Sequence, residues 1–149
     1  MARRQHNDGK DLEGAVHTAL HSLSTSLQSI CIRLYDTTSA RGQILPETYG
    51  DYLWILRGTP ILVECKSTET GKPILELATA TKKSKRQLSK HLEWNQKGNP
   101  SLYIWGDNIN RTVIAYSGIS VVERSPKPLS VGTYSSLSGV FVEALKEIR

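Results

Sequence analysis

The sequence predicts an α/β domain in which a mixed central β-sheet is covered by helices. Three observations lead there. Helical periodicity occurs near both ends of the chain and once in the middle, short β-branched and aromatic runs lie between, and the elements follow in the order helix, strands, helix, strands, helix. A chain of 149 residues with 38% hydrophobic content has the size and apolar content of one domain with a real core.

Residues 1–9 carry no apolar periodicity and include the turn-forming Asn7-Asp8-Gly9, so they read as a flexible basic arm bearing Arg3 and Arg4. Residues 10–149 then form the domain. Leu12, Val16, Ala19, Leu20, Leu23, Leu27 and Ile30 recur at three- and four-residue spacing, which predicts an amphipathic helix from about Asp11, its N-cap, to Ile30. The β-branched run over 29–35 predicts a strand. Residues 37–49 are polar, contain Gly42 and Pro46, and make a connection long enough to suggest function.

Two strand-like runs, 52–56 and 61–66, are joined by Arg57-Gly58-Thr59-Pro60 and read as a hairpin. Residues 68–81 show no regular pattern. Helical composition over 82–97 stops at Gly98-Asn99-Pro100. Strands are expected at 102–105 and 112–116 around a turn over 106–110, with a weaker strand at 119–123 and a loop at 125–133 containing Pro126 and Pro128. Tyr134, Leu137, Phe141, Ala144, Leu145 and Ile148 predict a closing helix. Trp54, Trp94 and Trp105 are assigned to the core.

No apolar stretch is long enough to span a bilayer, and no apolar segment follows the basic Met1-Ala-Arg-Arg start as a signal peptide requires, so a cytoplasmic protein is expected. Cys31 and Cys65 each lie within an apolar run, which argues for core thiols rather than a disulfide or a zinc site. His17, His21 and His91 form no diagnostic metal pattern and read as surface or structural residues. Nineteen Lys and Arg against fourteen Asp and Glu give a formal charge of +5, which favours a polyanionic partner. Lys82, Lys83, Lys85, Arg86 and Lys90 concentrate that charge on one helix, where they read as phosphate contacts, while Ser39, Arg41 and Gln43 in the long loop either touch DNA or are solvated.

The chemistry-bearing segment runs from Tyr49 through Gly50-Asp51 to Glu64-Cys65-Lys66. Alternation along a strand puts Glu64 and Lys66 on one face and Val63 and Cys65 on the other, and the hairpin brings Asp51 beside them. Two carboxylates with a lysine suit a hard divalent cation, which binds through oxygen ligands and engages phosphate. Lys66 would orient or deprotonate a water, or stabilise charge developing on phosphorus; the sequence leaves these roles open.

Asp51 followed thirteen residues later by Glu64-Cys65-Lys66 resembles the PD-(D/E)xK nuclease signature. Gly9-Lys10-Asp11-Leu12-Glu13 resembles the first helix of that superfamily, where a Glu often completes the metal site. Gln87 resembles the glutamine on the helix after the lysine strand in Holliday-junction resolvases of the archaeal and RecU types. Gly50 stands where the signature has Pro, and the resemblance spans roughly residues 9–105.

The resemblance implies a restriction-endonuclease-like core and a catalytic cluster of Glu13, Asp51, Glu64, Lys66 and Gln87. Mg²⁺, or Mn²⁺ in its place, would be held by Glu13, Asp51, Glu64 and the backbone carbonyl of Cys65, with no small-molecule cofactor. It further implies a homodimer acting on branched DNA such as a four-way junction. Another nuclease activity of the superfamily, or a catalytically silent DNA-binding module with the same fold, remains open at this point.

Overall fold

The computed structural model describes residues 8–34 and 49–148, with side chains described from Asp11 onward in the first helix. The basic arm with Arg3 and Arg4, and the loop residues Ser39, Arg41 and Gln43, lie outside the described residues.

The elements in chain order are α1 (Asp8–Ser26), β1 (Ser29–Arg33), β2 (Tyr52–Leu56), β3 (Thr59–Thr68), α2 (Ile74–Ala78) and α3 (Lys82–Gln96). They continue with β4 (Ser101–Asp107), β5 (Thr112–Ser117), α4 (Gly118–Val122), β6 (Pro128–Thr133), a 3₁₀ turn (Tyr134–Ser136) and α5 (Leu137–Glu147). The six strands lie in sequence order across one sheet. Every neighbouring pair is antiparallel except β3 and β4, which run parallel. A parallel pair needs a crossover, and α2 with α3 supplies it. The sheet is therefore mixed and flanked by helices, as expected.

Helices α1 and α5 cover one face, where Val16, Leu20, Trp54, Val63, Ile104, Val113 and Phe141 pack together. Trp54 is fully buried and meets the edge of Phe141 at a ring distance of 5.3 Å. A smaller cluster of Ile74, Ala78, Leu88, Tyr103 and Val121 joins the other face to α2, α3 and α4. Trp94 and Trp105 are only half-buried, and each donates its indole N–H to a backbone carbonyl, of Pro100 and Lys72 respectively. Cys65 is buried, Cys31 half-buried, and both thiols are free. None of the described helices is long and apolar enough to cross a membrane.

Four local expectations are corrected. The first helix begins at Asp8, inside the supposed arm, so Asp11 is not its N-cap but a first-turn residue 3.7 Å from Arg111. Residues 68–81 contain the short α2. The run 119–123 is a helical turn, α4, because burial of Val121 against the second cluster outweighs the weak strand preference of its β-branched residues. Residues 128–133 form the edge strand β6, where Pro128 sits at the first position and needs no ladder donor. The hairpin is also tighter than expected. Arg57 and Gly58 turn it alone, with φ of 51° and 82°, the paired positive values of a type I′ turn.

Gly118 lets β5 pass into α4 against β4. A Cβ there would lie 1.7 Å from Ser101 Oγ and 3.0 Å from the Ser101 carbonyl carbon. Gly118→Ala is expected to cost roughly 1–3 kcal/mol, the usual price of overpacking, read as a lower urea midpoint with an unchanged slope.

Candidate functional site

The β2–β3 hairpin carries the centre of the site. Its last ladder pair toward the open end is Tyr52 with Val63, and Asp51 stands immediately before that pair. The Asp51 N–H donates to the carbonyl of that same Val63 at 2.9 Å, which ties Asp51 to β3. Asp51 Oδ2 then accepts the Cys65 N–H at 2.7 Å. Since N–H and C=O of one strand residue face the same neighbour, the Cys65 carbonyl also lies on the β2 side, just past the end of that strand. Leu62, out of phase with it, donates toward the β4 side, to Pro100. Gly50 is buried here, and a Cβ would come within 3.1 Å of the Val63 oxygen and of Leu62 Cδ1.

Glu64 and Lys66 share the face opposite the main core, as alternation predicts. Lys66 Nζ is 3.3 Å from Glu64 Oε2 and donates to Gln87 Oε1 at 2.7 Å. Gln87 reaches it from α3, whose start is fixed by Thr81, the N-cap that accepts the Ser84 N–H. Glu64 is 1% exposed, and its Oε1 has no hydrogen-bond partner. Burial, reinforced by the neighbouring Asp51, pushes the Glu64 carboxyl well above the usual range despite the attraction of Lys66. Burial also raises Asp51, against the pull of the Cys65 N–H, Arg33, Lys66 and Lys83.

Glu13 joins the cluster through Arg33, a residue the sequence reading did not select. Arg33 Nη2 donates to Glu13 Oε1 at 2.9 Å, and Nη1 lies 3.6 Å from Asp51 Oδ1. The same guanidinium donates to the carbonyls of Asp51 and Leu34 and lies over the Tyr52 ring, while the Tyr52 hydroxyl donates to the Glu13 carbonyl. Arg33 closes an apolar strand and pairs in register with Tyr52, the neighbour of Asp51, a placement that only the fold reveals.

All five predicted site side chains thus belong to one connected set, and their oxygen-rich chemistry fits a hard cation such as Mg²⁺ or Mn²⁺. The unpartnered buried Glu64 Oε1 is the strongest mark of that fit. Among the described residues, no three His, Cys, Asp or Glu side chains are gathered into a group that could hold a metal ion; Glu13 and Asp51 are turned toward Arg33. On α3, Lys82, Lys83, Lys85 and Arg86 are exposed, while Lys90 is half-buried between Glu93 and the Tyr49 ring.

A second unforeseen feature lies behind the site. His91, one turn beyond Gln87 on α3, is fully buried with neither ring nitrogen hydrogen-bonded, and its ring sits 4.6 Å from that of Tyr103. Burial lowers the imidazole to about 3, helped by the charge of Lys66. His17 and His21 are exposed, as expected of surface residues. No protein-family model matches the sequence, and comparison with curated proteins returns no match.

Proposed function

We propose that the chain is a metal-dependent DNA endonuclease with a restriction-endonuclease-like core, acting on branched DNA such as a four-way junction. The observation that carries this reading is Lys66, held between Glu64 and Gln87 on the strand next to Asp51. The helix bearing Glu13, the strand led by Asp51, the Glu-x-Lys strand and the helix bearing Gln87 follow one another in the order of the resolvases that the sequence resembles.

In this reading Glu13, Asp51, Glu64 and the Cys65 carbonyl hold Mg²⁺ or Mn²⁺. A cation held there would supply Lewis acidity for activating water and positive charge beside the scissile phosphate. Lys66 supplies a positive donor at the phosphate, and Gln87, by accepting one of its protons, fixes where that donor points. Burial of Glu64 keeps water from screening the site. The exposed bases of α3 hold the DNA backbone beside it. Paired cuts in a symmetric junction call for two active sites, so the reading carries a homodimer with it.

The test is cleavage of a labelled four-way junction beside linear duplex and single strand, in Mg²⁺, in Mn²⁺ and in EDTA, with Asp51→Asn as control. Paired cuts in the junction alone, dependent on the cation and lost in the variant, are the expected result. Cation-dependent cutting of linear DNA instead would move the activity elsewhere among such nucleases. Binding without cuts in either cation would overturn the nuclease reading and leave a DNA-binding module.

A further inference from the structure

We infer that Arg33 is a built-in counter-ion that holds Glu13 and Asp51 together before a divalent cation binds and that sets how tightly the cation is held. The inference rests on the cation-binding reading above and adds a determinant of affinity to it.

The guanidinium makes two kinds of contact. One kind goes to carboxylates: 2.9 Å to Glu13 Oε1 and 3.6 Å to Asp51 Oδ1. The other kind does not involve the carboxylate groups. Nη1 donates to the backbone carbonyls of Asp51 at 2.9 Å and Leu34 at 3.1 Å, and the carbon of the guanidinium lies 5.1 Å from the centre of the Tyr52 ring. These backbone and ring contacts keep Arg33 in place when a carboxylate turns to another partner.

An arginine stays charged at any pH a protein tolerates, so the cation does not displace a neutral group. It approaches Glu13 and Asp51 against a fixed positive charge a few ångströms away, at a partly exposed position where solvent moderates the repulsion without removing it. Arg33 therefore has two opposite effects. It stabilises the metal-free protein by pairing two acids that would otherwise repel each other across the start of β2, and it weakens cation binding by the same interaction. A residue that merely braced the site would instead strengthen cation binding by holding the ligands in place.

Mn²⁺ titration of EDTA-stripped, dialysed protein, followed by calorimetry and by melting temperature, separates these roles. Arg33→Gln is expected to melt lower without cation, to bind Mn²⁺ roughly tenfold more tightly, and to gain more from it in melting temperature than the parent, as removal of a nearby unit charge predicts. A Gln variant that folds only with Mn²⁺ present would be the same result in stronger form. Arg33→Lys keeps the charge and should bind Mn²⁺ like the parent. Equal or weaker Mn²⁺ binding by the Gln variant, beside a parent that binds, would reduce Arg33 to a brace and overturn this inference alone; tightening in the Lys variant would overturn it too. A parent that binds no Mn²⁺ would overturn the cation reading itself.

Discussion

Glu64→Gln is expected to bind DNA like the parent, cut it at least about a thousandfold more slowly, and yet be the more stable protein in EDTA. The loss of activity follows from removing a charged oxygen ligand and from changing the group against which Lys66 is set at 3.3 Å. The gain in stability follows from burial. A carboxylate 1% exposed, with one oxygen unpartnered, is a poor occupant of that position, and an amide of the same shape removes the charge.

The sign can be checked against pH. Because burial raises the Glu64 carboxyl in the folded state, the native protein holds its proton where the unfolded chain, near the ordinary value of 4.5, has lost it. Stability therefore falls as pH rises above that value, and the variant escapes the fall. Its advantage should be about 1–3 kcal/mol at pH 8, the cost of burying such a group, and should vanish near pH 4. Saturating Mn²⁺ should reverse the order, since only the parent gains the full binding free energy. Urea unfolding at the two pH values, with and without Mn²⁺, reads all three effects. A variant less stable than the parent in EDTA at pH 8 would contradict the account.

His91 should make the protein acid-labile in the opposite sense. Its imidazole falls from the ordinary 6.5 to about 3, so between those values the unfolded state binds the proton and the native state does not. The stability that neutral His91 allows is present above pH 6.5 and is lost as pH falls toward 3. By pH 4 the loss amounts to about 3 kcal/mol from this residue alone. His91→Leu fills the same apolar site beside Tyr103 and gives up no hydrogen bond. The variant should equal or exceed the parent at pH 7.5 and exceed it by about 3 kcal/mol more at pH 4. A stability difference independent of pH would mean that the imidazole titrates normally.

The central elements of the fold were legible because periodicity and turn chemistry agree there. Leu12, Val16 and Leu20 mark the buried stripe of α1, Gly58 permits the hairpin turn, and Gly98 and Pro100 end α3. Where tertiary packing decides, the sequence misled, giving a strand at 119–123 and a loop at 125–133 in place of α4 and β6. The Ile119-Ser120-Val121-Val122 run is as suited to a strand as to the helical turn it makes, and Leu129-Ser130-Val131 becomes a strand only because β5 lies alongside. Gln87, on a helix, was named only through the resemblance, whereas the convergence of Asp51, Glu64 and Lys66 was readable through strand alternation and the hairpin, and their contacts follow it. Arg33 and His91 were not, because a single charge ending one strand and a lone histidine within a basic helix look alike whether solvated or buried. Their roles come from neighbours distant in the chain.

The hydrogen bond from position 65 to Asp51 is made by the main chain, not by the cysteine side chain. The thiol faces the core and gives nothing to the site, so the residue between Glu64 and Lys66 is free to change identity so long as it fills the same apolar volume. Proline is the exception, for it alone removes that N–H. The site is thus anchored by a group that almost no point mutation can delete, and variation at this position tells about packing rather than chemistry.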